Sequence, residues 1–316
     1  MDGVNVLFLG TPAFAVPTLE RLAAHPEMHV RGVLCQPDRP AGRGGELRQP
    51  AVKQAALRLG LPVFQPARIR SEEAWEYLSA HQPDVMVVVA YGQIIPRRVF
   101  ELPPLGTINA HASLLPAYRG AAPIQWAIAN GEPVTGVTTM RINEGLDTGD
   151  MLLRGELAIG TNETALELSP RLAALSADLI VETLLGLRAG AITPQPQDDS
   201  RASLAPILKK EDGRIDWSWP AQQIYNRWRG FQPWPGLHST WKGKQLAITR
   251  CEPATEPAQA GSQPGTLLRL EGNRLGCVTG DGVLLLTEVQ QEGRKRLPAM
   301  DFARGARIAF GQDRLE

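Results

Sequence analysis

The chain has 316 residues with 33 basic and 33 acidic side chains, 43% hydrophobic and 21% charged. This is the make-up of a globular protein with room for two domains, and it excludes a disordered or strongly basic chain. No apolar run reaches membrane-helix length, and the three cysteines (Cys35, Cys251, Cys277) stand far apart in no ligand spacing, so free thiols in a cytoplasmic setting are expected, with neither disulfides nor a metal site.

VNVLFLG (4–10) predicts a buried strand ending at Gly10, since it lacks the basic flank and the length of a secretion signal. A helix is expected over 11–24, a strand over 29–35, and then a loop rich in Pro, Gly and Arg at 36–50. AVKQAALRLG (51–60) reads as a helix closed by Gly60, and LPVFQP as a short strand. SEEAWEYLSAHQ (71–82) opens with a Ser cap ahead of acidic residues, as helix starts do. PDVMVVVAYG (83–92) has the continuous apolar run of a central parallel strand, and GTINAH (106–111) is another strand. Two more strands are expected at 134–142 and 151–159, followed by a long amphipathic helix at 164–190 that Pro170 could kink or break.

Residues 191–206 are polar and Pro-rich and read as a linker. Beyond them, short strands alternate with Gly, Asn-Arg and Asp-Gly turns, including ARGARIAF (303–310) among the strands, while helical periodicity is confined to 219–231. The expected architecture is α/β: a Rossmann-like, doubly wound, mainly parallel sheet over 1–190, the linker, and a small OB-like β-barrel over 207–316. Residues 1–205 carry a net charge of −4 and the remainder +4; a difference of this size is common by chance, and its functional reading is a C-terminal domain that meets a polyanion.

The chemistry concentrates at TINAHASLLPAYRGAAPIQWAI (107–128). Asn109 and His111 are two residues apart on a strand and so share a face, aiming an amide and an imidazole at one place. Asp147 lies farther on in the tight loop NEGLDTGDM. Open parallel sheets bind ligands at the carboxyl ends of their strands, where Gly10, Tyr91-Gly92 and Asn109–His111 all fall. The turn after the first strand is GTPAFA, with Pro12 where a dinucleotide fingerprint needs its second glycine, which disfavours a nicotinamide enzyme.

These blocks, together with LFLGTPAFAVPTLERL, CQPDRPAGRG, VVVAYGQIIP, GVTTMRINEGLDTGDML, KKEDGRIDW and FQPWPG, resemble the folate-dependent formyltransferase family nearly end to end. The resemblance implies transfer of the formyl group of 10-formyltetrahydrofolate, a co-substrate, to an amine, with initiator methionyl-tRNA as the implied acceptor. A small amine, such as an amino sugar nucleotide or a glycinamide ribotide, is the alternative acceptor, and a non-catalytic tRNA-binding protein the alternative class. By that likeness Asn109, His111 and Asp147 are catalytic. Ser113, Leu114, Leu115 and Pro116, with Gly92, Gln93, Ile94, Gly145 and Leu146, would line the folate. Arg39 and Arg43 in the Gly-rich loop, and Lys209 and Lys210 after the linker, would meet tRNA. Where the family loop often carries Lys after its GRG, this chain has Gly45 and Glu46, which lowers the local positive charge. Trp217, Trp219 and Trp228 are expected to anchor the domain interface, and the protein is expected to be a monomer.

Overall fold

The computed structural model describes residues 3–41, 46–258 and 261–316. It divides into two compact units, one of Met1–Pro123, Val134–Ala158 and Leu168–Pro206, the other of Ile124–Pro133, Ile159–Glu167 and Ile207–Glu316.

In chain order the first part of the fold is β1 (Val4–Gly10), α1 (Val16–Ala24), β2 (Met28–Leu34), β3 (Arg39–Ala41), β4 (Glu46–Arg48), α2 (Ala51–Arg58), β5 (Val63–Phe64), α3 (Glu72–Ala80) and β6 (Val85–Val89). Then come α4 (Arg97–Phe100), β7 (Thr107–His111), α5 (Pro123–Ala129), β8 (Val134–Arg141), β9 (Met151–Ala158) and α6 (Ala165–Arg188). Among the described residues the strands form a seven-stranded sheet ordered β5-β2-β1-β6-β7-β8-β9. β5, β2, β1, β6 and β7 are parallel, while β8 and β9 run antiparallel to their neighbours. From β1 the chain winds outward to β2 and β5, then returns to β6 on the other side. The β1/β6 boundary is therefore a topological switch point of the kind that opens a crevice at the strand ends.

Hydrophobic pattern explains the positions. All five residues of β6, VMVVV, are buried, as a strand covered on both faces requires. One face packs Leu7, Leu9, Leu34, Met86 and Val88 against Ala74 and Leu78 of α3 and Val99 and Phe100 of α4. On α6, Thr183 and the β8 residue Thr139 have their hydroxyls 2.8 Å apart. From Leu153 on, β9 alternates half-buried and exposed positions, as an edge strand with one solvated face does. Ser71 caps α3, its hydroxyl accepting the Ala74 N–H at 3.2 Å. α6 runs unbroken through Pro170, which stands in its second turn, where only one intrahelical donor is lost.

The stretch 36–50, expected to be a loop, contains a two-stranded ladder, β3 with β4, in the register Arg39↔Arg48 and Pro40↔Leu47. Its root is fixed by polar side chains. Lys53 Nζ lies 2.7 Å from Asp38 Oδ2, and Gln65 Nε2 donates to Asp38 Oδ1 at 2.8 Å and to Gln36 O at 2.9 Å. Arg43 and Gly45 lie outside the described residues.

The second unit holds α7 (Ala221–Gly230), β10 (Leu237–Trp241), β11 (Lys244–Pro253), β12 (Leu267–Leu270), β13 (Arg274–Val278), β14 (Val283–Gln291), β15 (Leu297–Pro298) and α8 (Ala299–Ala306). The strands are antiparallel in the order β10-β11-β14-β13-β12, with β15 on β14. Residues 313–316 bridge the two ends of that path. Leu267 N donates to Asp313 O at 2.9 Å, while Thr240 and Glu316 exchange bonds of 2.8 and 3.0 Å. The bridge removes the free strand edges and makes the sheet a small barrel.

ARGARIAF, expected as strand, instead contributes to α8. Ala299, Phe302 and Ala303 are buried at helical spacing behind Pro298, and that periodicity overrides the apparent alternation of the segment. Trp217, Trp219 and Trp228, expected to anchor a domain interface, bond to residues of this unit. Trp217 Nε1 donates to Ser239 Oγ at 2.9 Å, Trp228 Nε1 to Thr249 O at 3.2 Å, and Trp219 lies 4.7 Å from the Arg227 guanidinium. Among the described residues no helix is long and apolar enough to cross a membrane.

Candidate active site

The strand register brings the sequence candidates to one edge of the sheet. Gly10 is level with Val89, and Val88 with Asn109, so the turn after β6 and the end of β7 open on the same side. Asn109 is half-buried, and His111 is buried at 6% exposure.

His111 has two different neighbours. Its Nε2 lies 2.8 Å from the Tyr118 carbonyl oxygen. A carbonyl only accepts, so Nε2 carries a proton and Nδ1 is the nitrogen left to gain and lose one. Nδ1 faces Asp147 Oδ2 at 3.6 Å, beyond direct hydrogen bonding but close enough for strong attraction once the ring is charged. The same Oδ2 accepts the Gly120 N–H at 2.9 Å. Asp147 is thereby aimed at the imidazole.

Two strained backbones set this geometry. Tyr118 has φ +61° and Asp147 φ +52°, the left-handed region that L side chains seldom adopt. Asn143 Oδ1 shapes the Asp147 loop by accepting the Gly145 N–H at 3.0 Å and the Thr148 hydroxyl at 2.9 Å. Gly149 closes it, because a Cβ there would collide with the Arg141 carbonyl.

The residues expected to line a folate fall into two groups. Ile94 is 92% exposed and Leu146 64% exposed, two large apolar side chains left open on loops beside the strand ends. Gly92 has φ +86°, and the Gln93 side chain is committed to the 67–69 segment, accepting from Ile69 N at 2.7 Å and donating to Ala67 O at 3.3 Å. Gly145 helps to line an open recess of about 310 Å³ with Arg97, Phe100, Glu101, Asn143 and Glu144. By contrast, Ser113 and Leu115 are fully buried, and Leu114 is half-buried. Ser113 Oγ donates to Ala117 O at 2.6 Å, and Thr138 Oγ1 links Ser113 O at 2.7 Å with Leu115 N at 3.1 Å. Ser113–Pro116 thus fix the path of the chain from His111 to Tyr118.

Burial pushes the Cys35 thiol, just past β2, up to about 11, which keeps it protonated and unsuited to nucleophilic catalysis. Burial also raises the phenol of Tyr91, whose hydroxyl has no hydrogen-bond partner among the described residues. Arg39 is exposed and donates to Gln36 Oε1 at 3.3 Å. Lys209 and Lys210, in the second unit, are exposed.

Sequence reasoning missed Tyr118, Gly120, Arg119 and Gln197. Tyr118 and Gly120 act through backbone atoms, which carry no side-chain signature. Gln197 lies in the segment read as a linker. That segment is paired to the first unit: Gln195 and Met151 exchange two backbone bonds of 2.8 Å, and Arg119 N donates to Ser203 O at 2.8 Å.

Two family models match the chain, Formyl transferase over residues 4–184 and Formyl transferase, C-terminal domain, over 207–307. The chain is 58% identical over 307 residues to the methionyl-tRNA formyltransferase of Solibacter usitatus, covering 96% of each. It is 54% identical over 310 residues to that of Acidobacterium capsulatum, covering 97% of this chain and 98% of the other. Its fold is similar to that of an N-formyltransferase from Helicobacter canadensis complexed with folinic acid and dTDP-3-aminofucose (TM-score 0.67, 16% identity, 91% and 99% covered). HypX from Aquifex aeolicus with tetrahydrofolic acid is a second such structure (TM-score 0.62, 19% identity, 96% and 47% covered).

Proposed function

The chain belongs to the formyl transferase family, and on that premise we propose that it transfers the formyl group of 10-formyltetrahydrofolate to the free amino group of methionyl-initiator tRNA. Near-full-length identity to methionyl-tRNA formyltransferases supports the acceptor. The observation that carries the chemistry is His111, with one nitrogen locked on the Tyr118 carbonyl and the other turned toward Asp147.

The residues divide the work as follows. Asn109 donates its amide N–H to the formyl oxygen while the bond from the methionine nitrogen to the formyl carbon forms and charge builds on that oxygen. His111 receives at Nδ1 the proton lost by the attacking nitrogen and returns it to N10 as the carbon–N10 bond breaks. Asp147 stabilises the imidazolium formed between those two transfers. The products are formylmethionyl-tRNA and tetrahydrofolate, so atoms and protons balance without a further reactant.

The open apolar side chains of Ile94 and Leu146 fit a flat ring system, with backbone at Gly92–Ile94 and Gly145-Leu146 to bond its polar edge. Gln93 contributes only main chain, because its side chain is already engaged. Ser113–Pro116 bracket the same space by holding the loop after His111. For tRNA, Arg39 on the hairpin, together with Arg43, Lys209 and Lys210, supplies cations for phosphate, and phosphate contacts position a nucleic acid without reading its sequence.

The test is an acceptor competition with 10-formyltetrahydrofolate as donor. Methionyl-tRNA should be formylated in preference to a dTDP-amino sugar or glycinamide ribotide. Faster formylation of either small amine would overturn the acceptor, and formylation of none would overturn the reading as an enzyme.

A further inference from the structure

Asp147 stands on strained backbone in a short loop that Asn143 braces from within. A second brace comes from outside the loop, from residue 197. The Gln197 Nε2 amino group donates to the carbonyl oxygens of Asp147 and Gly149, both at 2.8 Å. Its Oε1 accepts from Arg119 Nε at 2.9 Å and Nη2 at 2.8 Å. With guanidinium donors at one end and two carbonyls at the other, only one orientation of the amide satisfies every group. Arg119 is itself 7% exposed and anchored further by Asp199 at 2.7 Å. It also sits between Tyr118, which fixes His111, and Gly120, which fixes the Asp147 carboxylate.

We propose that Gln197, braced by Arg119, is a positioning residue for catalysis: it clamps the 147–149 loop so that the Asp147 carboxylate stays opposite His111 Nδ1. This rests on the formyl-transfer reading above for its kinetic consequence, but the clamp itself is a statement about geometry. One guanidinium ties the two loops together, because its main chain belongs to the 118–120 turn and its side chain holds the amide that grips 147–149. Misplacing a catalytic group by about 1 Å can cost on the order of a hundredfold in rate. A released loop therefore lowers turnover while leaving substrate binding in place.

Gln197→Glu separates positioning from mere packing. It retains oxygens for Arg119 but has no N–H for the two carbonyls. The expected result is an unfolding midpoint equal to wild type, kcat reduced at least about tenfold, and KM for each substrate within about twofold. Exchange of the Gly120 amide hydrogen, which is bonded to the Asp147 carboxylate, should accelerate at the same time. Gln197→Met, which removes both polar ends at similar length, should lose stability as well as kcat. A folded Gln197→Glu protein with wild-type kcat and unchanged Gly120 exchange would overturn the clamp. If wild type itself failed to formylate methionyl-tRNA, the functional reading would fall instead, and the Gly120 exchange comparison would still decide the clamp.

Discussion

The Gly120 N–H and the Asp147 carboxylate meet at 2.9 Å, joining the turn that follows the His111 strand to the loop that carries the acid. The relationship depends on Gly120 being glycine. Its φ is +126°, and a Cβ there would lie 2.5 Å from the Ala205 carbonyl oxygen. Gly120→Ala is therefore expected to cost about 1–3 kcal/mol of stability and to lower kcat by moving the donor off Asp147. Urea unfolding beside steady-state kinetics checks both, and a variant with wild-type stability would contradict the account of this turn.

The hairpin root has a pH signature. The Gln65 amide first, and then Lys53, hold the Asp38 carboxyl below the usual carboxylate range. A folded-state value below the unfolded one means the contribution is present above the unfolded value, about 4, and disappears as pH falls through the folded value. Asp38→Asn should flatten the acid side of the stability curve. Thermal unfolding measured from about pH 6 down to pH 3 shows it, and parallel curves for wild type and variant would remove Asp38 from the account.

In the second unit Arg227 lies against three rings. Its guanidinium is 4.7 Å from Trp219, 4.8 Å from Phe231 and 5.6 Å from Trp126, and it donates to Asp212 O at 2.9 Å. A lysine cannot present a planar face to these rings together with the fork that reaches Asp212. Arg227→Lys is expected to destabilise by about 1–3 kcal/mol, read from the denaturant midpoint; an unchanged midpoint would show that the stacking contributes nothing net.

Lys209 and Lys210 are exposed and are proposed to meet phosphate. Affinity for tRNA should then fall as salt rises, and replacing both with Ala should reduce the log–log slope by about 1.5, since each phosphate contact releases close to one counterion. Filter binding across a salt series tests this. A slope unchanged by the double substitution would assign the phosphate contacts elsewhere.

Much of the sheet was legible because hydrophobic pattern dictated it. VNVLFLG and VMVVV could only be buried strands, and the spacing of Asn109 and His111 placed them on one face. The Asp147–His111 approach was not legible, since it depends on the strained turns at Tyr118 and Asp147 and on backbone carbonyls that no residue type announces. Residues 191–206 misled because Pro-rich polar sequence carries no periodic signal, yet Gln197 and Ser203 bond the two loops of the site and Gln195 pairs with the start of β9. α8 was misread for a different reason: in ARGARIAF the alternation of Arg with small and apolar residues imitates a strand, and only packing of Phe302 reveals the helical face.

The most direct measurement is single-turnover formyl transfer from 10-formyltetrahydrofolate to methionyl-tRNA by wild type, His111→Ala and Asp147→Asn, each at saturating substrate. The rate should fall by about a hundredfold or more without the imidazole and by about tenfold with the neutral amide at 147, with tRNA and folate affinities within about twofold of wild type. Transfer by His111→Ala at the wild-type rate would contradict this.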